Sequence, residues 1–360
     1  MGDCAGDALW EGCYHMNRAA VLTCTNLSIG YQNQKTVIRE ISKDLNLRLN
    51  RGELVCLVGP NGSGKSTLIR TLTGIQPPLS GDVVLLDKRI ADHSADEKAK
   101  NLSVVLTTPV QAGFMTAFDI VALGRFPHTN WAGRLTDDDT EIILSAIASV
   151  GAGDLTHRFI HEMSDGERQK VMIARALAQE PVLMVLDEPT AFLDLPHKIE
   201  TMRILRSIAR STGKAVLLST HDLNLAIRCA DRLWIIDQHG TLISGIPEDL
   251  VLSGIFGSAF GIHGVNFDPV RGEFTIPIEK KGTFALTAQK SVEKIWTWYA
   301  LERIGYLPAE GEREDITVTI RKDNGNAVWE LCTGTVAREC TSLAELIECI
   351  SACDEGDDSH

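Results

Sequence analysis

The chain has 360 residues, 44% of them hydrophobic and 23% charged, which predicts a globular protein of two domains, or of one large domain with an appendage, and excludes disorder as the main state. The formal net charge of −13 argues against a nucleic-acid partner, because proteins that bind phosphate backbones usually present a basic face. There is no run of 18 apolar residues and no basic, signal-like start, so we expect a cytosolic chain that reaches a membrane only through a partner.

Strand patterns begin after a short leader. Residues 1–19 show no sustained periodicity and predict a flexible leader. Val21–Ile29 alternates between apolar and polar residues, and Leu45–Leu49 does the same, with its three leucines on one face of a half-buried strand. Leu54–Val58 is apolar throughout, as expected for a strand that is buried on both faces.

From residue 59 to residue 219, predicted strands alternate with predicted helices. Such alternation is typical of a mainly parallel sheet that is covered by helices on both faces. The predicted strands are Gly81–Leu86, Leu102–Leu106, Val182–Leu186 and Ala215–Ser219, and the predicted helices are Ser66–Leu72, Asp137–Val150, Gly166–Leu177 and the segment around His197–Ala209.

The pattern changes near Lys280, and residues 282–352 predict a separate small α/β domain. An Asp-Asn-Gly-Asn turn at Asp323–Asn326 is a hairpin signal. Gly282–His360 carries 7 basic and 15 acidic residues, a net charge of −8, and residues 353–360 predict an acidic tail. The predicted strands are Phe284–Ala288, Ile316–Arg321, Val328–Cys332 and Thr335–Cys340, and the predicted helices are Val292–Ile304 and Leu343–Ile350.

The clearest motif lies between the buried strand Leu54–Val58 and the helix that follows it. In such a loop, glycines allow backbone N–H groups to curl around a phosphate, and the helix N-terminus adds partial positive charge. We expect Lys65 to reach the β- and γ-phosphates and the Ser66 hydroxyl to coordinate Mg²⁺, so the chain is predicted to bind a nucleotide. The motif fits the P-loop pattern GxxxxGK followed by Ser or Thr, and its residues are Gly59, Pro60, Asn61, Gly62, Ser63, Gly64, Lys65 and Ser66.

Two carboxylates follow the apolar strand Val182–Leu186. Parallel sheets place their ligands at the carboxyl ends of the strands, which is where Asp187 and Glu188 lie. We expect Asp187 to hold Mg²⁺ and Glu188 to polarise the attacking water as a general base. Without the P-loop, an acidic loop after a strand would be the better interpretation.

Further short motifs resemble those of the ATP-binding subunits of ABC transporters, over about Val21 to Lys280. Met163–Glu167 is similar to the family signature, usually LSGGQ, with three departures that leave Ser164 and Gly166 in place. Each string is weak by itself, but their order and spacing are specific. The other matching strings are Asp187–Thr190 for the end of the Walker B motif, Ala191–Asp194 for the D-loop and His221-Asp222 for the switch histidine.

The resemblance implies a fold. It is an α/β P-loop NTPase of the ABC ATPase type over residues 20–281, with a mostly parallel sheet core, an antiparallel β subdomain and a helical subdomain at about 109–178. A small C-terminal α+β domain follows.

The resemblance also implies a site that is shared by two identical chains, which pair head to tail so that each ATP lies between the P-loop of one chain and the signature of the other. Glu188 would activate water, and His221 would contact the γ-phosphate and orient that water. The implied catalytic residues are Lys65, Glu188 and His221, and the implied Mg²⁺ ligands are Ser66, Asp187 and Thr108. Tyr31 would stack on adenine. The other implied ATP contacts are Gly59–Ser66, Thr67, Ser164, Asp165, Gly166, Glu167 and Asp194.

One Mg²⁺ position departs from the family pattern. The family usually has a glutamine just after the strand that corresponds to Leu102–Leu106. Here Thr108 occupies that register, and Gln111 lies three residues later. We predict Thr108 in this role, with Gln111 as the alternative if the loop bulges.

Two segments, Val121–Leu135 and Gly257–Pro277, resemble the subgroup that serves iron-siderophore, haem and cobalamin importers. This resemblance implies permease subunits and a second copy as partners, a substrate-binding protein as an indirect partner, and a place at the cytoplasmic face of the membrane. No nucleic-acid partner is expected. The alternatives are a soluble ABC ATPase of the cofactor-assembly type and an efflux system.

Overall fold

A computed structural model describes residues 19–33, 36–106, 113–129, 133–260, 266–275, 278–289, 291–309, 314–323, 325–334 and 336–357. The described residues form two compact units. The larger contains the residues up to 260 together with 267–274, and the smaller contains residue 266 and the residues from 275 onward. Within the described ranges, no helix combines the length and the apolar character needed to cross a bilayer.

A four-stranded antiparallel sheet opens the larger unit. The alternating pattern of its first two long strands buries one face, including Leu27 and Leu49, which have no exposed surface. Tyr31 lies near the end of the first strand and pairs with Arg39 on the second. The sheet has the order β2-β1-β4-β5, with β1 Ala20–Asn33, β2 Thr36–Asn50, β4 Ser80–Leu85 and β5 Lys88–Arg89.

A six-stranded sheet forms the centre of the larger unit. Five neighbouring strands are parallel, and one antiparallel strand closes an edge. The predicted runs Leu54–Val58 and Ala215–Ser219 are strands that are buried at every residue. The order is β10-β9-β3-β8-β7-β6, with β3 Leu54–Val58, β6 Leu102–Val105, β7 Leu183–Leu186, β8 Ala215–Ser219, β9 Arg232–Ile236 and β10 Leu242–Gly245.

Helices cover the parallel sheet, and several begin at side-chain caps. Ser94, Thr116, Thr136 and Ser164 each form a capping box with the acidic residue three positions later, which satisfies otherwise free N–H groups. The helices are α1 Lys65–Leu72, α2 Ala95–Asn101, α3 Ala117–Ala122, α4 Asp137–Ser149, α5 Asp165–Ala178, α6 Leu195–Thr212, α7 Leu223–Cys229, α8 Pro247–Leu252 and α9 Ile255–Phe260, with 3₁₀ turns at Ile90–Asp92, Leu123–His128, Gly153–Leu155 and Ile160–Glu162.

The smaller unit has its own mixed sheet and its own core. Helix α11 continues to Asp357, beyond the predicted end at Ile350. The order is β14-β13-β15-β16-β17, with β13 Gly282–Thr287, β14 Tyr306–Pro308, β15 Ile316–Asp323, β16 Asn326–Thr333 and β17 Val336–Cys340. The helices are α10 Val292–Arg303 and α11 Leu343–Asp357. The two-stranded ribbon of β11 Asn266–Asp268 and β12 Glu273–Thr275, which precedes them in the chain, belongs mostly to the larger unit.

The predicted architecture is confirmed, namely a mostly parallel core with an antiparallel sheet, a helical segment and a small C-terminal α+β unit. One local difference has a physical reason. Leu106 lies outside β6 and is 53% exposed, because the parallel pairing with β7 ends at Val105 and Leu186. On α10, Leu301 is buried in the core, whereas Trp296 is 61% exposed, because the helix turns only part of its apolar surface towards the sheet.

Candidate functional site

A loop with two left-handed residues joins β3 to α1. Gly62 and Gly64 have φ angles of +77° and +104°, a region in which a side chain is strained. Gly64 is the N-cap of α1, and a Cβ there would also lie 2.3 Å from Ile41 Cγ2. These glycines let the backbone turn tightly and leave the N-terminus of α1 open to a ligand. This is the arrangement that the P-loop motif predicts.

Lys65 is folded back onto this loop. Its side chain is buried, and Nζ donates hydrogen bonds to the carbonyl oxygens of Gly59 at 2.8 Å and Pro60 at 3.0 Å. Burial lowers the pKa of Lys65, and the negative charges of Glu188 and Asp187 oppose that shift. The ammonium group is thus held within the field of both predicted carboxylates.

The Ser63 hydroxyl is buried and has no hydrogen-bond partner among the residues that the structure describes. A buried hydroxyl without a partner is costly, so it favours a site that is completed by something else. A phosphate oxygen is such a partner. The loop therefore fits the phosphates of a nucleotide.

One serine hydroxyl ties together the two carboxylates after β7. Ser219, the last residue of β8, donates to Asp187 Oδ1 at 2.6 Å and accepts from the Glu188 backbone N–H at 2.9 Å. Glu188 has a φ angle of +51°, a strained conformation for a residue with a side chain. Nε2 of His221 lies 2.5 Å from Glu188 Oε1. The predicted base and the predicted switch histidine are therefore in direct contact.

The P-loop, the residues that follow β7 and β8, and the turn end of the hairpin formed by β1 and β2 enclose a cavity of about 320 Å³. Within it, the Tyr31 and Thr67 hydroxyls are hydrogen bonded at 3.0 Å. Nine predicted site residues are thereby brought together. The cavity is lined by Tyr31, Arg39, Ile41, Asn61, Gly62, Gly64, Lys65, Ser66, Thr67, Glu188 and His221.

Comparison with known proteins places this arrangement in a family. The sequence pattern of the ABC transporter family matches residues 42–191, and that of the iron ABC transporter C-terminal domain matches residues 281–351. An uncharacterized ABC transporter ATP-binding protein of Methanocaldococcus jannaschii is 43% identical over 269 residues, which are 74% of this chain and 91% of that protein. The iron(3+)-hydroxamate import ATP-binding protein of Bacillus subtilis is 35% identical over 67% of this chain and 88% of its own length.

The chain belongs to the ABC transporter ATP-binding proteins. Proteins of this family are ATPases, and the sequence-based assignment is confirmed.

Solved structures agree. A protein described as a metal-chelate type ABC transporter, in an inward-facing conformation, superimposes with a TM-score of 0.58 at 27% identity, over 68% of this chain and 90% of the other. A dimeric ATP-binding cassette bound to ADP and Pi superimposes with a TM-score of 0.52 at 26% identity, over 63% of this chain and 98% of the other.

The signature of this ABC ATP-binding protein lies apart from the cavity. Ser164 caps α5, its hydroxyl accepts from the Glu167 N–H at 3.3 Å, and the Glu167 carboxylate accepts from the Ser164 N–H at 2.8 Å. The Ser164 backbone N–H and, to a lesser degree, the charge of Arg158 lower the pKa of Glu167. Within the described part of one chain, none of the signature residues Ser164, Asp165, Gly166 and Glu167 lines the nucleotide cavity.

Asp194 caps α6 and lines a second cavity of about 700 Å³, which shares Glu188 and His221 with the first. Phe192 in the same loop is 86% exposed and has a φ angle of +64°. The predicted D-loop carboxylate is therefore close to the catalytic pair but outside the cavity that the P-loop lines.

Two predicted positions lie outside the described residues, and two residues of the site were not predicted. Thr108 and Gln111 lie outside the described residues. Ser219 was missed, although a serine at the end of an apolar run was a usable signal. Arg39 was missed because its place in the cavity comes from strand register, which the local pattern did not specify.

Proposed function

We propose that this ABC ATP-binding protein hydrolyses ATP to energise the import of an iron-siderophore, haem or cobalamin. Its relatives include an iron(3+)-hydroxamate import ATP-binding protein, and the C-terminal unit matches the iron ABC transporter C-terminal domain. The single observation that carries the proposed hydrolysis is the convergence of Lys65, Glu188 and His221 on one cavity, with Glu188 and His221 in contact.

Each of these residues has a distinct part in hydrolysis. Lys65 would exchange its bonds to the loop carbonyls for bonds to the β- and γ-phosphates. Glu188 would accept a proton from the water whose oxygen bonds to the γ-phosphorus, while the bond between the γ-phosphorus and the bridging oxygen breaks and ADP leaves. His221, which Glu188 holds, would contact the γ-phosphate and orient that water. Tyr31 would lie on the adenine ring.

Magnesium would be held by Ser66 and Asp187, with Thr108 as the proposed third protein ligand. No cluster of three or more metal-binding side chains occurs among the described residues. A magnesium site that shares its ion with phosphate oxygens needs few protein ligands, so the residues present fit. The bound ion supplies charge neutralisation at the phosphates. Asp187 is oriented for this part by its bond from Ser219.

A second copy would complete the site. In one chain the signature does not line the nucleotide cavity. Ser164 and Asp165 are exposed at the start of α5, Gly166 beside them is buried, and a helix N-terminus suits a phosphate. We therefore propose that Ser164, Asp165, Gly166, Glu167 and Asp194 act on the ATP that is held by the partner chain.

The membrane partner would bind the helical segment around α3. Phe126 is 75% exposed in the 3₁₀ turn Leu123–His128, and Phe114 is 85% exposed just before α3. Exposed apolar residues of this kind favour a protein partner. We propose a permease as that partner, which would place the chain at the cytoplasmic face of a membrane, with a substrate-binding protein as an indirect partner. Because its relatives include an import ATP-binding protein, the soluble cofactor-assembly alternative is not favoured.

Glu188→Gln tests the proposed base. We expect the variant to bind Mg-ATP, to trap the dimer and to lose at least about 100-fold in turnover, because general-base catalysis supplies about 10²–10⁴ in rate. ATPase rate, nucleotide affinity and size-exclusion chromatography are measured together. The matched control is Glu141→Gln on α4, outside the site, which should behave as wild type. Unchanged hydrolysis by Glu188→Gln would remove Glu188 from this role.

A further inference from the structure

His197, in the first turn of α6, contacts two predicted ATP-contacting elements at once. Its ring Nδ1 is hydrogen bonded to Asp194 Oδ1, and the same carboxylate oxygen accepts from the His197 backbone N–H at 3.2 Å. The bond to the ring is the main reason that the pKa of Asp194 is lowered. The D-loop carboxylate is therefore held as an anion in one orientation.

The other edge of the ring lies against the signature. A Cβ added to Gly166 would lie 2.4 Å from Cδ2 of His197, 2.9 Å from Cγ and 3.1 Å from Nε2. Gly166 has no positive φ angle, so the backbone conformation does not require glycine here. Within the chain, the space that the His197 ring occupies is what excludes a side chain at Gly166.

The two helices that carry these elements, α5 and α6, are also joined by an ion pair. Nζ of Lys170 on α5 lies 2.7 Å from Oε1 of Glu200 on α6, and both side chains are at least half buried. The ion pair is therefore a second contact between α5 and α6, in addition to that of His197 with Gly166.

We propose that His197 is a positioning residue that locks the D-loop to the signature turn, so that Asp194 and Gly166 approach the partner's ATP as one rigid unit. This inference rests on the proposed function, in which both elements act across the dimer. Because the P-loop that binds ATP belongs to the other chain, the loss of His197 should affect turnover more than ATP affinity.

His197→Phe and His197→Asn separate the two contacts. Phenylalanine keeps a ring against Gly166 but cannot bond Asp194, whereas asparagine keeps a donor for Asp194 and vacates the space at Gly166. We expect His197→Phe to reduce kcat about 10- to 100-fold, since small misplacements of catalytic groups cost rates of this size. KM for ATP should change less than about twofold, because ground-state binding by the P-loop is intact. His197→Asn should recover part of the rate.

A double-mutant cycle gives the second, independent test. Gly166→Ala forces a methyl group onto the His197 ring and should reduce kcat strongly in the wild-type background. In a His197→Ala background the ring is absent, so Gly166→Ala should reduce kcat by a factor at least about fivefold smaller. Such a difference is the energetic coupling expected between two residues in contact. Arg203→Ala, an exposed position on α6, is the control and should match wild type in rate and melting temperature.

The outcomes are distinguishable. A wild-type chain without ATPase activity would contradict the proposed function itself. An active wild type, with His197→Phe as fast as Arg203→Ala, or with Gly166→Ala costing the same in both backgrounds, would overturn the inference. If His197→Phe lowers the melting temperature, the kcat of His197→Asn and the double-mutant cycle still test the inference.

Discussion

At the scale of single residues, Ser219 is the side chain on which the catalytic carboxylates depend most directly. Its hydroxyl donates to Asp187 and accepts from the Glu188 N–H, so one atom fixes both the proposed metal ligand and the backbone of the proposed base. Ser219 has no exposed surface. Glu188 is in a strained left-handed conformation, which such a bond helps to hold.

Ser219→Ala should therefore reduce turnover without abolishing ATP binding. We expect kcat to fall about 10-fold or more, as is typical when an outer partner of a catalytic ligand is removed. The free energy of unfolding should fall by about 1–3 kcal/mol, because the half-buried Asp187 carboxylate and the Glu188 backbone N–H lose the hydroxyl that they share. ATPase kinetics and urea unfolding measure the two effects. Ser207→Ala, at an exposed position on α6, should change neither, and a Ser219→Ala variant with wild-type kcat would contradict this role.

At the scale of elements, Arg125 joins the 3₁₀ turn Leu123–His128 to α4 by a buried ion pair and to the end of α5 by a hydrogen bond. Nε of Arg125 lies 2.8 Å from Asp139 Oδ1, and both side chains are less than a tenth exposed. Arg125 also donates to the Ala178 carbonyl at 2.8 Å at the end of α5. Asp139 completes the capping box with Thr136 that starts α4. One carboxylate thus starts a helix and anchors a neighbouring turn.

Asp139→Asn should destabilise the larger unit by about 1–3 kcal/mol at neutral pH, because buried Arg125 loses one of its two carboxylate partners and keeps Glu180, whose Oε2 lies 2.7 Å from Nη1. The Thr136 backbone N–H and hydroxyl and the Arg125 charge lower the pKa of Asp139 to about 2. For a lowered carboxyl pKa, the stabilisation is complete above the unfolded value near 4 and is lost as pH falls towards 2.

The difference in unfolding free energy between wild type and Asp139→Asn should therefore be constant above about pH 5 and shrink below about pH 4. Denaturant unfolding from pH 3 to pH 8 measures it. Asp138→Asn, at an exposed neighbouring position, should show no such profile. A difference that grew on acidification would contradict the assignment.

At the scale of the whole molecule, each unit buries its own core. In the larger unit, apolar side chains pack on both faces of the six-stranded sheet. In the smaller unit, Phe284, Leu301 and Leu346 belong to a separate cluster around the five-stranded sheet. Units with separate cores can unfold separately.

Thermal unfolding should therefore show two transitions. Mg-ATP should raise only the transition of the larger unit, by about 2.7 kcal/mol at 100 times Kd, because ligand binds only that folded unit. Leu346→Ala, at a fully buried position, should lower only the other transition, by about 2–5 kcal/mol. Calorimetry with and without nucleotide measures both. A single transition that both changes shift would contradict separate unfolding.

Local patterns were sufficient for much of the fold. Short, fully apolar runs such as Leu54–Val58 are typical of strands buried on both faces, and the glycines of the P-loop have conformations that few other residues adopt. The same local chemistry indicated that Lys65, Glu188 and His221 belong to one site, because the carboxyl ends of parallel strands meet at one edge.

What the tertiary structure alone decided is how side chains that are distant in sequence meet. The contact of His197 with Gly166, the bonds from Ser219 and the place of Arg39 in the cavity depend on helix packing, strand order and strand register. None of these is encoded by periodicity within one segment. A sequence pattern reports which face of an element is buried, whereas only the packed chain determines what that face touches.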